Sequence, residues 1–138
     1  HSKVYFGLID VDDFKLINDE HGHHAGDQVL RKIADTFQQA LGEISYVFRI
    51  GGDEFVILFE ADDYKTMLLQ ATDELSKQSA TIPGAKVSIG VIEVHELHDD
   101  IDLEKLYKEA DKSLYRAKTR KHSHEGGLNC VEYKLMGM

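Results

Sequence analysis

The 138-residue chain is 42% hydrophobic and 30% charged, the size and make-up of one globular domain with a substantial core. Its 16 Lys+Arg against 25 Asp+Glu give a net charge of −9, which argues against non-specific binding to nucleic acid or to an anionic membrane. A single cysteine, Cys130, excludes an intrachain disulfide and suits a reducing cytoplasm, and no apolar run has the length of a membrane span or the form of a signal peptide. The chain opens on His1 rather than methionine, as expected of a piece of a longer protein whose sensory or anchoring part lies elsewhere.

Residues 4–11, VYFGLIDV, are almost uninterrupted in their apolarity and predict a strand covered on both faces. Asp10 interrupts that run near its end, where a carboxylate can point into a site at the sheet's edge. Residues 12–18 predict a short helix with an aspartate at or near its N-cap, whose free first-turn N–H groups favour an anion. The segment 20–26 reads as a loop bounded by Gly22 and Gly26. Over 27–41, Val29, Leu30, Ile33, Ala34, Phe37 and Leu41 keep helical spacing, and Gly42 ends the helix.

Two aromatic and β-branched runs follow, near 45–50 and 54–60. The Gly51-Gly52 pair between them predicts a tight hairpin turn in which glycine supplies positive φ. Directly after the glycines, Asp53 and Glu54 set two adjacent carboxylates at the tip of a ribbon with buried arms. Taken alone, a solvated acidic turn is the plainer account of them. Arg49, before the glycines, reads as a surface charge.

A helix starting at Asp62 or Asp63 turns Tyr64, Met67, Leu68, Ala71 and Leu75 to one side, and Pro83-Gly84 make a turn. Residues 87–94 form a strand in which Gly90 marks a bulge or a close approach. A last helix, near 103–120, sends Leu103, Leu106, Tyr107, Ala110, Leu114 and Ala117 to the core and carries most of its cations on a solvated face. Residues 129–135 alternate and read as an edge strand. The order β-α-β-β-α-β-α-β predicts an α+β fold in one domain over 1–138: a mixed, mainly antiparallel sheet flanked by helices, with a ferredoxin-like β-α-β-β-α-β core.

That order lays the strand ending at Asp10 beside the hairpin carrying Asp53, so two hard oxygen donors meet at one edge. Such a pair suits Mg²⁺, which keeps several waters and takes further ligands from substrate phosphates, and it fits nucleotidyl transfer. The eight histidines do not add a zinc site: His21, His23 and His24 lie close together but no second cluster has ligand spacing.

Gly51-Gly52-Asp53-Glu54-Phe55 resembles the signature of the GGDEF diguanylate cyclases, enzymes of palm-like nucleotidyl cyclase fold that join two GTP into cyclic di-GMP and release two pyrophosphates. Residues 9–19, IDVDDFKLIND, with Gly22-His23 and Gly26-Asp27, are similar to the family pattern D-x-D-x-F-K-x-x-N-D…G-H…G-D. VSIGV at 87–91 and ADKSLYRAK at 110–118 match as well, so the resemblance runs through nearly the whole chain.

The resemblance implies that Asp10, Asp53 and the Val11 carbonyl bind Mg²⁺, with Mn²⁺ as a substitute. It implies that Asp53 accepts the proton of the attacking 3′-hydroxyl with Glu54 as a second carboxylate beside it. Phe14, Lys15 and Lys118 would hold phosphate, and Asn18 and Asp27 would read guanine. A carboxylate accepts hydrogen bonds from guanine's N1–H and exocyclic amine, a pattern adenine does not offer. A homodimer with one Mg·GTP per subunit, and a sensory or regulatory domain in the parent chain, are implied too.

Three departures accompany the match. The family often has Gly-Arg-Asn after the lysine matched by Lys118; here Thr119-Arg120-Lys121-His122 follows, the arginine's place falls on His122, and Arg120 or Lys121 are the candidate substitutes for phosphate. The product-inhibition motif R-x-x-D falls on Gly42-Glu43-Ile44-Ser45, so no such site is expected. The helix and D-x-L-T-G-L-x-N-R turn that usually open the family's domain do not precede the first strand, as expected of a fragment. The rival expectation is a catalytically silent GGDEF module that binds GTP or a partner domain and regulates it. A third is a palm-like cyclase making a single-nucleotide cyclic product.

Overall fold

The computed structural model describes residues 3–78, 86–94, 102–123 and 135–136. Its elements run β1 (Lys3–Val11), α1 (Phe14–His21), α2 (His23–Ala40), β2 (Ser45–Arg49), β3 (Glu54–Ala61) and α3 (Tyr64–Gln78). Then come β4 (Val87–Val94), α4 (Leu103–Ser123) and the two-residue β5 (Leu135–Met136).

The strands form one sheet in the order β2-β3-β1-β4-β5, antiparallel except for the β4–β5 pair. The first four strands have the ferredoxin-like order that the chain predicts. β1 is central, paired with β3 on one side and β4 on the other, which is why its residues are apolar on both faces. Alternation then sorts them. Tyr5, Ile9 and Val11 face the layer of α1, α2 and α3, where Ile33, Phe37 and Leu68 are fully buried. Phe6 and Leu8 face α4, whose Leu106, Ala110 and Leu114 close the other side. Each fully buried aliphatic side chain contributes about 1.5–3 kcal/mol, so the two clusters together hold the sheet between its helices.

Gly90 is the close-approach point between β4 and α4. A Cβ there would come within 2.7 Å of the Ala110 carbonyl oxygen and run into the Leu114 backbone. α4 therefore lies directly on the strand.

Three local expectations are corrected. Residues 20–26 are not a loop, because α1 runs to His21 and α2 begins at His23. Gly22 alone reverses the chain, at φ 90°. Gly26, buried in the first turn of α2, then lets that turn sit against Asn18 and Phe14. The hairpin tip is the four residues 50–53, and neither Gly51 nor Gly52 takes a left-handed φ. Arg49 shapes it instead: its Nε donates to the Gly51 carbonyl at 2.9 Å and its Nη2 to that of Gly52 at 3.0 Å. In α4, Leu103 and Tyr107 are not core residues. Leu103 overhangs in the first turn, and the Tyr107 hydroxyl is engaged at the sheet edge.

The turn expected at Pro83-Gly84 lies outside the described residues. So does the strand expected at 129–135, apart from Leu135, which pairs in parallel with Glu93.

Candidate active site

The site forms where β1 ends beside the hairpin. The Val11 amide donates to the Asp53 carbonyl at 2.9 Å, and the Ile50 amide to that of Glu54 at 2.9 Å. The first bond fixes the tip of the hairpin against β1, and the second closes the tip itself. In register, Asp10 stands opposite Glu54 on one side and Ser88 on the other. Strand pairing thus sets Asp10 beside Glu54, and the Val11–Asp53 bond brings Asp53 to the same edge, near enough for its charge to act on Asp10. At Gly52 the space that a side chain would fill is open, which leaves the tip accessible to a ligand.

α4 brings the balancing groups. Lys118 forms an ion pair with Asp10, whose side chain is only 15% exposed. Burial raises the Asp10 pKa, the Lys118 ammonium opposes the rise, and the Asp53 and Asp12 carboxylates add to it. For Lys118, burial pulls the ammonium down, but Asp10, then Asp12 and Asp53, hold it above the ordinary lysine value. The lysine is therefore charged throughout the physiological range. Tyr107, also from α4, donates to Glu54 Oε1 at 2.8 Å.

The chain leaving β1 is fixed by Asp12, whose amide donates to the Lys86 carbonyl and whose Oδ1 accepts from Ser88 Oγ, each at 2.9 Å. Asp13, at φ 54° and ψ 33°, takes the left-handed conformation that aspartate tolerates. It stands at the N-cap of α1 without a side-chain cap bond, so the first-turn N–H groups of Phe14 and Lys15 remain available to an anion. The Phe14 ring packs against the core, and Lys15 is exposed.

Asn18 and Asp27 sit on the two helices joined at Gly22, with the Asn18 carboxamide oxygen lodged over Gly26. Asp27 is in the second turn of α2 rather than at its N-cap. It lines a cleft of about 320 Å³ with Arg31, Val47, Arg49 and Phe55. α4 continues through Arg120, Lys121 and His122, but their side chains lie outside what is described. The carboxylates and Lys118 therefore form one group, while Asn18 lies over Gly26 and Asp27 lines the separate cleft beside Arg49 and Phe55.

Among the described residues, no three His, Cys, Asp or Glu side chains surround a common point that could hold a metal. Two carboxylates and the Val11 carbonyl are too few to enclose a cation. They do fit an ion that completes its shell with water and phosphate oxygens, as Mg²⁺ does.

The family model described as the diguanylate cyclase GGDEF domain matches residues 1–124. The chain belongs to the GGDEF domain family. It is 34% identical over 131 residues to diguanylate cyclase DgcS of Shewanella oneidensis, covering 93% of this chain and 40% of that protein. With DosC of Escherichia coli K12 it shares 39% over 131 residues, 91% of this chain and 27% of the relative. With DgcM of the same strain it shares 44% over 115 residues, 80% of this chain and 27% of the relative. The chain thus spans 27–40% of the length of these relatives.

Solved structures agree. SiaD of Pseudomonas aeruginosa, in complex with its activator SiaC, superposes at a TM-score of 0.76 with 27% identity, covering 96% of this chain and 50% of that one. The GGDEF domain of DgcB from Caulobacter crescentus, in complex with c-di-GMP, gives 0.70 with 27% identity, covering 96% and 78%.

In this GGDEF domain, sequence reasoning missed Arg49, Ser88 and Tyr107. Arg49 had a usable signal, since an arginine beside two glycines can reach their carbonyls. Ser88 and Tyr107 had none, because each meets its carboxylate across a large sequence separation.

Proposed function

We propose that this GGDEF domain, paired with a second copy of itself, condenses two GTP into cyclic di-GMP and releases two pyrophosphates. The observation that carries this reading is the meeting of Asp10, Asp53 and Glu54 at one sheet edge, beside Lys118 and the uncapped start of α1.

Asp10, Asp53 and the Val11 carbonyl would hold Mg²⁺, with Mn²⁺ as a substitute. When bound, the ion would acidify the 3′-hydroxyl and offset charge on the phosphates. Asp53 accepts the 3′-hydroxyl proton, and Glu54 is the second carboxylate next to it. The N–H groups of Phe14 and Lys15, together with the Lys15 ammonium, hold the terminal phosphates. Lys118 leaves Asp10 to meet negative charge on the transferring phosphate. Arg120, Lys121 and His122 follow it along α4 as further candidate phosphate contacts. Asn18 and Asp27 select guanine through its N1–H and exocyclic amine.

Each domain has one such edge, and the product contains two new phosphodiester bonds. Two copies must therefore face each other, each 3′-oxygen attacking the partner's α-phosphorus in line as pyrophosphate leaves. GTP is a cytoplasmic substrate, so the domain works in the cytoplasm, under a sensory or regulatory domain of the parent chain. No helix among the described residues is long and apolar enough to cross a membrane.

The test is to incubate the parent protein with GTP and Mg²⁺ and resolve the products by chromatography. Cyclic di-GMP is expected. Bound GTP without turnover would sink the proposal in favour of a silent regulatory module, and a single-nucleotide cyclic product would sink it in favour of a different cyclase.

A further inference from the structure

The hydroxyl of Tyr107 donates to Glu54 Oε1 at 2.8 Å across the gap between α4 and the hairpin. Packing does not require this tyrosine. It is 37% exposed and stands outside the cluster that Leu106, Ala110 and Leu114 build beneath α4. The cross-strand partner of Glu54 is Asp10, and Asp10 is held by Lys118 from the same helix. Tyr107 and Lys118 are about three turns apart on one face of α4, so one helix serves both facing carboxylates. To Asp10 it offers a cation, and to Glu54 a neutral donor.

We propose that Tyr107 is a positioning residue that fixes the Glu54 carboxylate for the condensation, acting through Glu54 and touching no substrate itself. This rests on the cyclase reading of the site. A glutamate side chain has three torsions to restrain, and a donor on Oε1 restrains them while leaving Oε2 as the acceptor for a ligand. A phenol is suited to this because it adds a hydrogen bond without cancelling the charge. An ammonium in its place would form an ion pair and offset the negative charge of the edge. Glu54 in turn, with burial and the Asp111 and Asp10 charges, pushes the phenol pKa up to about 12, so the hydroxyl keeps its proton at working pH.

The experiment compares Tyr107→Phe with wild type in the full-length parent chain, by steady-state conversion of GTP at saturating Mg²⁺ and by thermal unfolding. Phenylalanine keeps the ring and removes only the donor. We expect kcat to fall about three- to tenfold with KM for GTP within about twofold and Tm almost unchanged. Glu54→Asp shortens the side chain out of Tyr107's reach, so in that background Tyr107→Phe should cost nothing further. An unchanged kcat in Tyr107→Phe, beside an active wild type, overturns this inference and leaves the cyclase reading intact. An equal penalty in the Glu54→Asp background also overturns it, because the effect then does not run through Glu54. Wild type without turnover overturns the cyclase reading and this inference with it.

Discussion

Lys118 on α4 forms an ion pair with Asp10 at the end of β1, and both partners titrate above their ordinary values. Burial raises Asp10, so its ionisation opposes folding, and that penalty is relieved as pH falls through the carboxylate range. The raised Lys118 pKa adds stability that is complete below the free lysine value and fades as pH rises through the folded one.

Replacing Lys118 with methionine leaves Asp10 charged without its partner. The lysine is 43% exposed, so water offsets part of the loss, and we expect about 1–2 kcal/mol near neutral pH. Thermal unfolding across pH should show the gap to wild type widest between about pH 6 and 9 and closing towards acid, as Asp10 takes up its proton. A gap independent of pH would contradict the pairing.

Gly26 and Asn18 supply a second prediction. A methyl group at Gly26 would land on the Asn18 carboxamide oxygen and within 3.3 Å of the Phe14 ring. If Asn18 reads guanine, Gly26→Ala should raise KM for GTP about five- to tenfold and lower kcat far less. Measured KM equal to wild type would remove Asn18 from the guanine site.

Gly90→Ala should act on the fold itself. Its Cβ would meet the Ala110 carbonyl and the Leu114 backbone, neither of which can yield without lifting α4 from β4. A loss of about 3 kcal/mol in urea unfolding is expected. Because α4 carries Lys118 and Tyr107, activity should fall along with stability.

The element order was legible because the strands at 4–11 and 87–94 are apolar on both faces and the helices keep strict apolar spacing. The adjacency of Asp10 and Asp53 followed from that order. The start of α2 was hidden, because His23 and His24 carry no apolar period and the flanking glycines suggest a loop. Gly26 is glycine for a tertiary reason, the room it leaves for Asn18. The hairpin misled for a similar reason: Gly51-Gly52 suggested positive φ, whereas the Arg49 guanidinium holds their carbonyls. Tyr107 fits the apolar spacing of α4, and nothing local tells that its hydroxyl leaves the core for a glutamate in β3.

Product feedback gives a fourth expectation. At Gly42–45 the turn is closed by its own bonds, Ser45 Oγ donating to the Gly42 carbonyl at 2.6 Å and Gln38 Nε2 to Ser45 Oγ at 3.0 Å. Neither arginine nor aspartate occupies the R-x-x-D positions there. Added cyclic di-GMP should therefore inhibit weakly, and strong inhibition in an initial-rate assay would reveal a site elsewhere.

The most direct measurement compares wild type with Asp53→Ala for GTP binding, by calorimetry, and for cyclic di-GMP formation at saturating Mg²⁺. We expect Asp53→Ala to lose at least about a thousandfold in turnover while still binding GTP through the remaining contacts. Turnover at the wild-type rate in Asp53→Ala would contradict the placement of the reaction at the edge shared by β1 and the hairpin.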